Sequence, residues 1–403
     1  MAILPVCALP VSLSTVFAIQ KLEERLRSYS FSPGALRWLP LDSRAFGPPR
    51  RRAGAVDYFL NHAGSITEVY PKAPACPSHP VLLNQIAPAY FVNFRDTLPP
   101  AYVFSMSGAR VLGSAGWIVG ENDTLLVESS FWREPDFPQP FQSHFILNRK
   151  RAPALRHLPG RCLSLASDFA VGGFGHFLHD SLPRLHLVER AGHKLGNFDW
   201  LYLPRLDSSA TRSLVAALDF PPERLLQYDA RFDLAADELI ATTFPGTPGN
   251  LPSYTPEFLR RRFTSQAAPA QRKIFLSREG FRRDLVNRPA IERLLVDRGF
   301  EICRPQEHDA IRACSEADVI VSQEGANFMN TLFAPPGTRV LMLLPDSGNN
   351  LPYAFTLAAA AGHKLFVQSC PLVDSTPGNE GTSPVVADLE VFALGLDQLL
   401  AAR

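Results

Sequence analysis

The chain has 403 residues, beyond the roughly 250–300 at which one core stops growing, so two domains are expected. Apolar residues make up 46% and charged residues 20%, which excludes intrinsic disorder for most of the chain. Forty basic side chains against 39 acidic ones leave a formal charge of +1, so no global field draws it to nucleic acid or anionic lipid.

The six cysteines, Cys7, Cys76, Cys162, Cys303, Cys314 and Cys370, are scattered with no C-x-x-C pair. That pattern argues against a zinc ribbon, a thioredoxin motif or a dense disulfide scaffold, and reads as reduced packing residues. The first twenty residues carry no charge, but Pro5 and Pro10 interrupt them and no Lys or Arg precedes them, unlike a secretory signal. No later run of about 20 apolar residues offers a spanning helix, and cytoplasmic residence is the expectation.

Prolines crowd the part before residue 160, as at Pro48-Pro49, Pro71, Pro74, Pro77, Pro80, Pro88 and Pro99-Pro100, and disfavour regular helices there. Within it, Ala101–Trp132 alternates short β-rich runs with glycine and predicts a small meandering sheet. Arg50-Arg51-Arg52, among Gly and Pro, reads as a solvated loop that could touch phosphate. Residues 1–150 are therefore a Pro-rich region belonging to the N-terminal lobe.

From about residue 160 apolar runs alternate with amphipathic segments, the signature of an α/β fold. Strands are expected at Cys162–Leu165, Trp200–Leu203, Leu225–Tyr228 and Glu238–Thr242, with helices at 175–191, 208–218 and 254–263. Residues 151–265 form a first α/β lobe. A polar stretch near 265–272 leads into a second lobe, 266–385. Its strands are expected at Lys273–Ser277, Phe300–Arg304, Asp318–Ser322, Thr338–Leu344 and Lys364–Gln368, with helices at 287–298, 307–315, 326–334 and 351–361. Gly299 is a helix C-cap signal. A last helix, 388–402, would cross back to the first lobe.

The densest cluster of chemical groups runs from Gly172 to Leu185. With a helix starting near Gly175, His176 and Asp180 project from one face, and the carboxylate can orient and activate the imidazole as a general base. His179 permits a metal reading with His176 and Asp180. The plainer alternative is a tight turn, a satisfied His176, and Asp180 as a surface partner of Arg184.

A second cluster runs from Asp318 to Thr338. A buried strand meets a small-residue turn, Gly325-Ala326, and a helix start whose free N–H groups suit a diphosphate. Glu324, Asn327 and Asn330 add hydrogen-bonding side chains, and neither a G-x-G-x-x-G nor a Walker sequence is present. A third cluster places Arg278 at a strand's carboxyl end, suited to clamping phosphate. Arg282 and Arg283 read as loop charges near Asp284 or Glu279.

These three blocks, in this order, resemble glycosyltransferase family 61, which includes bacterial capsular-polysaccharide proteins and plant xylosyl- and arabinosyltransferases. The residues that carry the resemblance are His176, Asp180 and Leu182-Pro183-Arg184-Leu185; Ser277-Arg278 with Arg283 and Asn287; and Gly325-Ala326 with Asn330 through Gly337. Glu324 stands where many members have His, and Gly173 where Asn is frequent. The resemblance implies a GT-B architecture of two Rossmann-like domains facing a cleft, and an inverting, metal-independent transfer from a nucleotide-diphosphate sugar to a saccharide or glycan hydroxyl. No cofactor or metal is expected. His176 with Asp180 is the expected catalytic pair, and Arg278, Glu324, Gly325, Ala326, Asn327 and Asn330 the donor and phosphate site. His179, Arg184 and Arg283 are secondary candidates for acceptor contact. A lipid-carried acceptor would add peripheral membrane contact. The rival readings are a saccharide- or nucleotide-binding protein without turnover, and a His/Asp metallohydrolase.

Overall fold

The computed structural model describes residues 49–75, 79–86, 96–130, 143–149, 153–247, 250–265, 271–304, 309–346, 351–374, 376 and 382–402. The apolar first twenty residues, Cys7, Cys76 and Trp132 lie outside the described residues. The described residues fold as a mixed α/β protein around two main sheets, one of ten strands and one of six, with a separate two-stranded pair.

In the second sheet the strands Glu301–Cys303, Arg272–Leu276, Ala317–Gln323, Arg339–Pro345 and Lys364–Cys370 lie side by side in that spatial order, all parallel. Numbered along the chain, this is the 2-1-3-4-5 order of a doubly wound sheet. Parallel strands are covered on both faces and therefore read as continuous apolar runs. Phe275, Val319, Val321, Leu341 and Leu343 face one core, closed by Leu396 and Leu399 of the last helix. Ile274, Leu276, Ile320, Val340, Met342 and Leu344 face the other. The last helix, Leu389–Ala401, thus packs on its own sheet, against the strands beginning at Arg339 and Lys364. The expected crossing to the first lobe is corrected by this apolar face, which the second sheet already covers.

The first sheet has a parallel centre. Leu225–Gln227, Trp200–Leu203, Ala154–Ser164 and Phe232–Thr242 are neighbours in that order, or 3-2-1-4 along the chain. Beyond it the sheet turns antiparallel. Phe232–Thr242 pairs with Ala101–Ser107 and Arg110–Leu112, which lead through Trp117–Gly120 to Thr124–Leu126. The expected meander is therefore present but continues this sheet, because Phe232–Thr242 is long enough for Ala101–Ser107 and Arg110–Leu112 to share the edge that Ala154–Ser164 leaves open. The first sheet is accordingly mixed, unlike the purely parallel sheet of a Rossmann-like domain.

Part of the Pro-rich region belongs elsewhere. Val81–Leu82 adds a sixth parallel strand beside Lys364–Cys370. Asn84 then extends the pairing, donating through Nδ2 to the Ser369 carbonyl at 2.9 Å and accepting from the Ser369 N–H at 2.8 Å. Arg51–Ala53 is an edge strand beside Thr124–Leu126, where a solvated loop is the expectation.

One continuous core joins the two sheets. Leu163, Leu201, Leu203 and Ile240 of the first share it with Ile274, Ile320 and Met342 of the second. Helices Arg184–Arg190, Tyr254–Phe263 and Leu351–Ala361 supply much of the filling. Cys162, Cys303, Cys314 and Cys370 are buried free thiols, as their spacing predicts. Trp117 is wholly buried and donates to Asp168 Oδ1 at 2.7 Å, so it packs in the core. No helix among the described residues is long and apolar enough to cross a membrane.

Candidate active site

The first half of the site follows the carboxyl end of Ala154–Ser164, next to the point where strand order reverses in the first sheet, the place where open α/β sheets leave a crevice. The connection from Leu165 to Val171 is buried throughout, and Gly172 turns the chain at a φ of +71°. The single helix expected over 175–191 is broken into three parts. A turn of α-helix at Phe174–His176 widens into a π-helix at Phe177–Ser181, and α-helix resumes at Arg184. Pro183 accounts for the break. It has no N–H for the carbonyl four residues back, and its ring crowds that carbonyl, so the preceding turn opens and Leu182 donates to the Phe177 carbonyl five residues back at 2.9 Å.

Within this widened turn Asp180 lies between two imidazoles. His176 Nδ1 is 2.7 Å from Asp180 Oδ2, and His179 Nδ1 is 2.5 Å from Oδ1. Each Nδ1–H donates to the carboxylate, which fixes the tautomer and leaves Nε2 of each ring with its lone pair. Exposure separates the two rings: the His176 side chain is 32% accessible and that of His179 only 9%. His176 is thus the imidazole open to an incoming group, flanked by the rings of Phe169 and His179 at 5.0 and 4.8 Å. Burial pushes the Asp180 carboxyl up, but the two imidazoles outweigh it and hold the group at about 2. Burial pushes His179 down, against the pull of Asp180.

The second half lies at the corresponding reversal of the second sheet, between the carboxyl ends of Arg272–Leu276 and Ala317–Gln323. Arg278 follows the first of these strands. Its Nη2 donates to the Arg282 carbonyl at 3.0 Å, and its Nε is buried without a hydrogen-bond partner. Gly325 follows the second, at φ +136° and ψ −168°, a conformation essentially restricted to glycine. A Cβ on Gly325 would overlap the Arg278 guanidinium, so the missing side chain is the space the arginine fills. Burial and the neighbouring Arg283 lower the Arg278 pKa to about 10, which leaves it cationic at neutral pH.

Gly325 opens a 3-10 helix, Ala326–Phe333, where the sequence predicts an α-helix. The first intrahelical bond runs from Phe328 N–H to the Gly325 carbonyl at 3.0 Å, so the N–H groups of Ala326 and Asn327 lie ahead of the helix's own pairing. Side chains brace this turn. Asn327 Nδ2 donates to the Ser277 carbonyl at 3.1 Å, and Asn330 Nδ2 to Asn327 Oδ1 at 2.8 Å. Glu324 forms a 2.5 Å ion pair with Arg283. Arg283 adopts φ +62°, and its carbonyl accepts from Gln323 Nε2. The pairing of Arg283 with Asp284 or Glu279 expected from sequence proximity is thereby replaced by one across the strand ends, with the carboxylate neutralised beside the turn.

The two halves touch. A Cβ at Gly175 would come within 2.9 Å of Met329 Cγ, so the helical turn bearing His176 packs directly on the 3-10 helix that starts at Gly325. Tyr353, from the first turn of Leu351–Ala361, packs its ring 4.9 Å from that of His179. Sequence reasoning missed Tyr353, which belongs to no motif. The only signal is its place in a helix that follows the strand next to Ala317–Gln323.

Arg184 does not reach this space. It is buried, donates to the carbonyls of Ala166 and Thr242, and stacks 4.5 Å over Phe244. It therefore closes the strand-order reversal of the first sheet from within, and Asp180, which is buried, is not its surface partner. A groove of about 1080 Å³ lined by Arg260, Arg261, Asp318 and Arg339 lies at the opposite, amino-terminal ends of the second sheet's strands, away from these groups.

Acid should loosen the molecule. His179 and His363 are buried and their pKa values are lowered by that burial, His363 to about 4. A histidine more acidic when folded protonates first in the unfolded chain, so its stabilisation is complete above pH ~6.5 and is lost as pH falls toward the folded value. For His363 alone the loss by pH 4 is about 3 kcal/mol. Urea unfolding at pH 7 and pH 4 should show a fall at least that large. Equal stability at the two values contradicts the buried neutral histidines.

A protein-family model, Glycosyltransferase 61, matches residues 174–341. No curated protein matches the chain. The matched stretch begins in the turn that bears His176, takes in Asp180, Arg278 and Gly325, and ends inside the strand Arg339–Pro345. The segment from Phe174 to Leu341 is thus similar to the glycosyltransferase 61 family, and glycosyl transfer is the activity that this similarity suggests for the site it carries.

Proposed function

We propose that the protein moves a sugar from a nucleoside-diphosphate donor to a hydroxyl of a saccharide or glycan, with inversion at the anomeric carbon and without a metal. His176 Nε2 takes the proton of the acceptor hydroxyl while that oxygen attacks the anomeric carbon and the bond to the diphosphate breaks on the opposite face. Asp180 holds the imidazole in the reactive tautomer and stabilises the imidazolium that forms. The departing diphosphate is neutralised by Arg278 and by the N–H groups at Gly325–Asn327, which take the place of a cation.

The observation that most supports this reading is the packing of Gly175 on Met329, which brings the turn bearing His176, the more exposed of the two imidazoles on Asp180, against the 3-10 helix that starts after Gly325. The reading includes a GT-B arrangement, with acceptor and base on the first α/β unit and donor on the second. It also includes a cytoplasmic role in polysaccharide biosynthesis, such as capsule assembly, with peripheral membrane contact if the acceptor is carried on lipid. The ion pair of Glu324 with Arg283 removes the main argument for a binding protein without turnover, repulsion of the diphosphate by a free carboxylate.

A second reading draws on the ligand atoms of His176, His179 and Asp180, which lie within 4.8 Å of one another and could gather a metal ion. Both Nδ1 atoms donate to the carboxylate, so a metal bound through them would need those bonds broken, whereas one met by the two Nε2 atoms would keep Asp180 as the group that orients the rings. The purified protein should be incubated with a panel of nucleotide sugars and oligosaccharide acceptors, with and without a chelator, and nucleoside diphosphate release and product followed. Transfer that persists in chelator is expected. Hydrolysis that disappears in chelator and returns with a divalent cation supports the metallohydrolase instead.

A further inference from the structure

Three neighbouring strands of the second sheet, Arg272–Leu276, Ala317–Gln323 and Arg339–Pro345, end on the same side. The first two deliver Arg278 and Gly325. The third leads into the helix Leu351–Ala361, whose first turn delivers Tyr353. The Tyr353 phenol oxygen is buried and has no hydrogen-bond partner among the described residues. Arg278 Nε is in the same condition. A buried hydroxyl left unmatched destabilises a fold, so native proteins rarely keep one without a use. Here the two unmatched groups follow the strands on either side of the one that leads into Gly325, Arg278 two residues past its strand and Tyr353 in the helix after the other, and Tyr353 packs its ring against His179, which shares Asp180 with His176.

We propose that the Tyr353 hydroxyl donates a hydrogen bond to the terminal phosphate of a bound nucleoside diphosphate, the group that departs from the sugar, and so completes with Arg278 the pocket around the Gly325 turn. The inference rests on the glycosyl-transfer reading above. Tyr353 acts as a donor only, and no proton changes hands. Burial, with the negative charges of Asp180 and Glu324, raises its pKa well above the ordinary phenol value, which keeps the hydroxyl protonated throughout turnover. Those two carboxylates come from opposite halves of the site, so the hydroxyl stands between the imidazole side and the phosphate side. Tyr353 lies beyond the segment matched by the family model.

The test is calorimetric titration of uridine, guanosine, cytidine and adenosine diphosphates, and of the matching monophosphates, into the wild-type protein and Tyr353→Phe. The free proteins are melted in parallel. For the diphosphate that binds, the variant should raise Kd about 5- to 10-fold, while monophosphate affinity stays the same, because only the terminal phosphate meets the hydroxyl. The ligand-free variant should melt about 1–2 °C higher, since an unmatched buried donor has been removed. Unchanged diphosphate affinity, or an equal loss for both classes of nucleotide, overturns the proposal. So does a lower melting temperature, which would mean that the hydroxyl is already bonded in the free protein. If the wild-type protein binds none of the four diphosphates, the glycosyl-transfer reading itself fails, a result distinct from binding that ignores the hydroxyl.

Discussion

Replacing His176 by alanine should lower turnover by about 10²–10⁴-fold, the range a positioned general base contributes, and leave the affinity for nucleoside diphosphate within about twofold. The split follows from geometry. His176 follows a strand of the first sheet, whereas Arg278 and Gly325, the proposed phosphate site, follow strands of the second. The variant should fold, because the His176 side chain is about one-third accessible and Asp180 keeps its second bond, to His179 Nδ1. Asp180→Asn should give a loss of similar size without removing the ring, since an amide no longer stabilises the imidazolium. Initial rates at saturating donor, with calorimetric affinities beside them, separate the two quantities. Near-normal turnover in His176→Ala contradicts the assignment of the base.

Gly325→Ala should act on the other half. Two costs coincide at this position. The backbone sits at φ +136°, ψ −168°, where a side chain costs about 1–3 kcal/mol, and the new methyl would occupy the volume of the Arg278 guanidinium. The arginine must move, which should remove the proposed charge-assisted contact to the diphosphate and raise its Kd about 10- to 100-fold. The melting temperature should also fall. Arg278→Ala separates the two costs: alone it should lose nucleotide affinity with little loss of stability, and combined with Gly325→Ala it should recover the part of the stability that the clash removed. Additive stability losses in the double variant, measured by a double-mutant cycle, contradict the direct contact between these residues.

Much of this site is legible in the sequence because its parts are local. The strand leading into Glu324-Gly325 announces itself by the β-branched run Val319-Ile320-Val321 before a small-residue turn, and His176 and Asp180 are four apart. What the sequence hides is of two kinds. Pro183 is visible, but whether a proline kinks a helix, ends it, or widens the preceding turn into a π-helix depends on what packs around it. The widened turn brings both His176 and His179 onto one carboxylate. The second kind is pairing across strand ends. Arg283 and Glu324 are 41 residues apart, and nothing in either neighbourhood says that the strands before them are adjacent. That follows only from the 2-1-3-4-5 order, as does the place of Tyr353.

The first lobe was the harder to read for a related reason. Ala154–Ser164 and Phe232–Thr242 are each eleven residues long, yet the first is largely exposed over its amino-terminal half and the second is interrupted by Asp233, Asp237 and Glu238. The outer halves include residues such as Arg156, His157 and Asp233, so the strands read as shorter than they are. Their length allows the antiparallel meander to join the same sheet.

The central claim is that one ligand is held between the second sheet's crevice and an imidazole from the first. A crystal structure of the protein with the nucleoside diphosphate it binds tests that claim most directly. The account predicts the terminal phosphate against Arg278 and the N–H groups after Gly325, on the side that faces His176 Nε2. A nucleotide seated instead in the groove between Arg260 and Arg339, at the far ends of the strands, would contradict it.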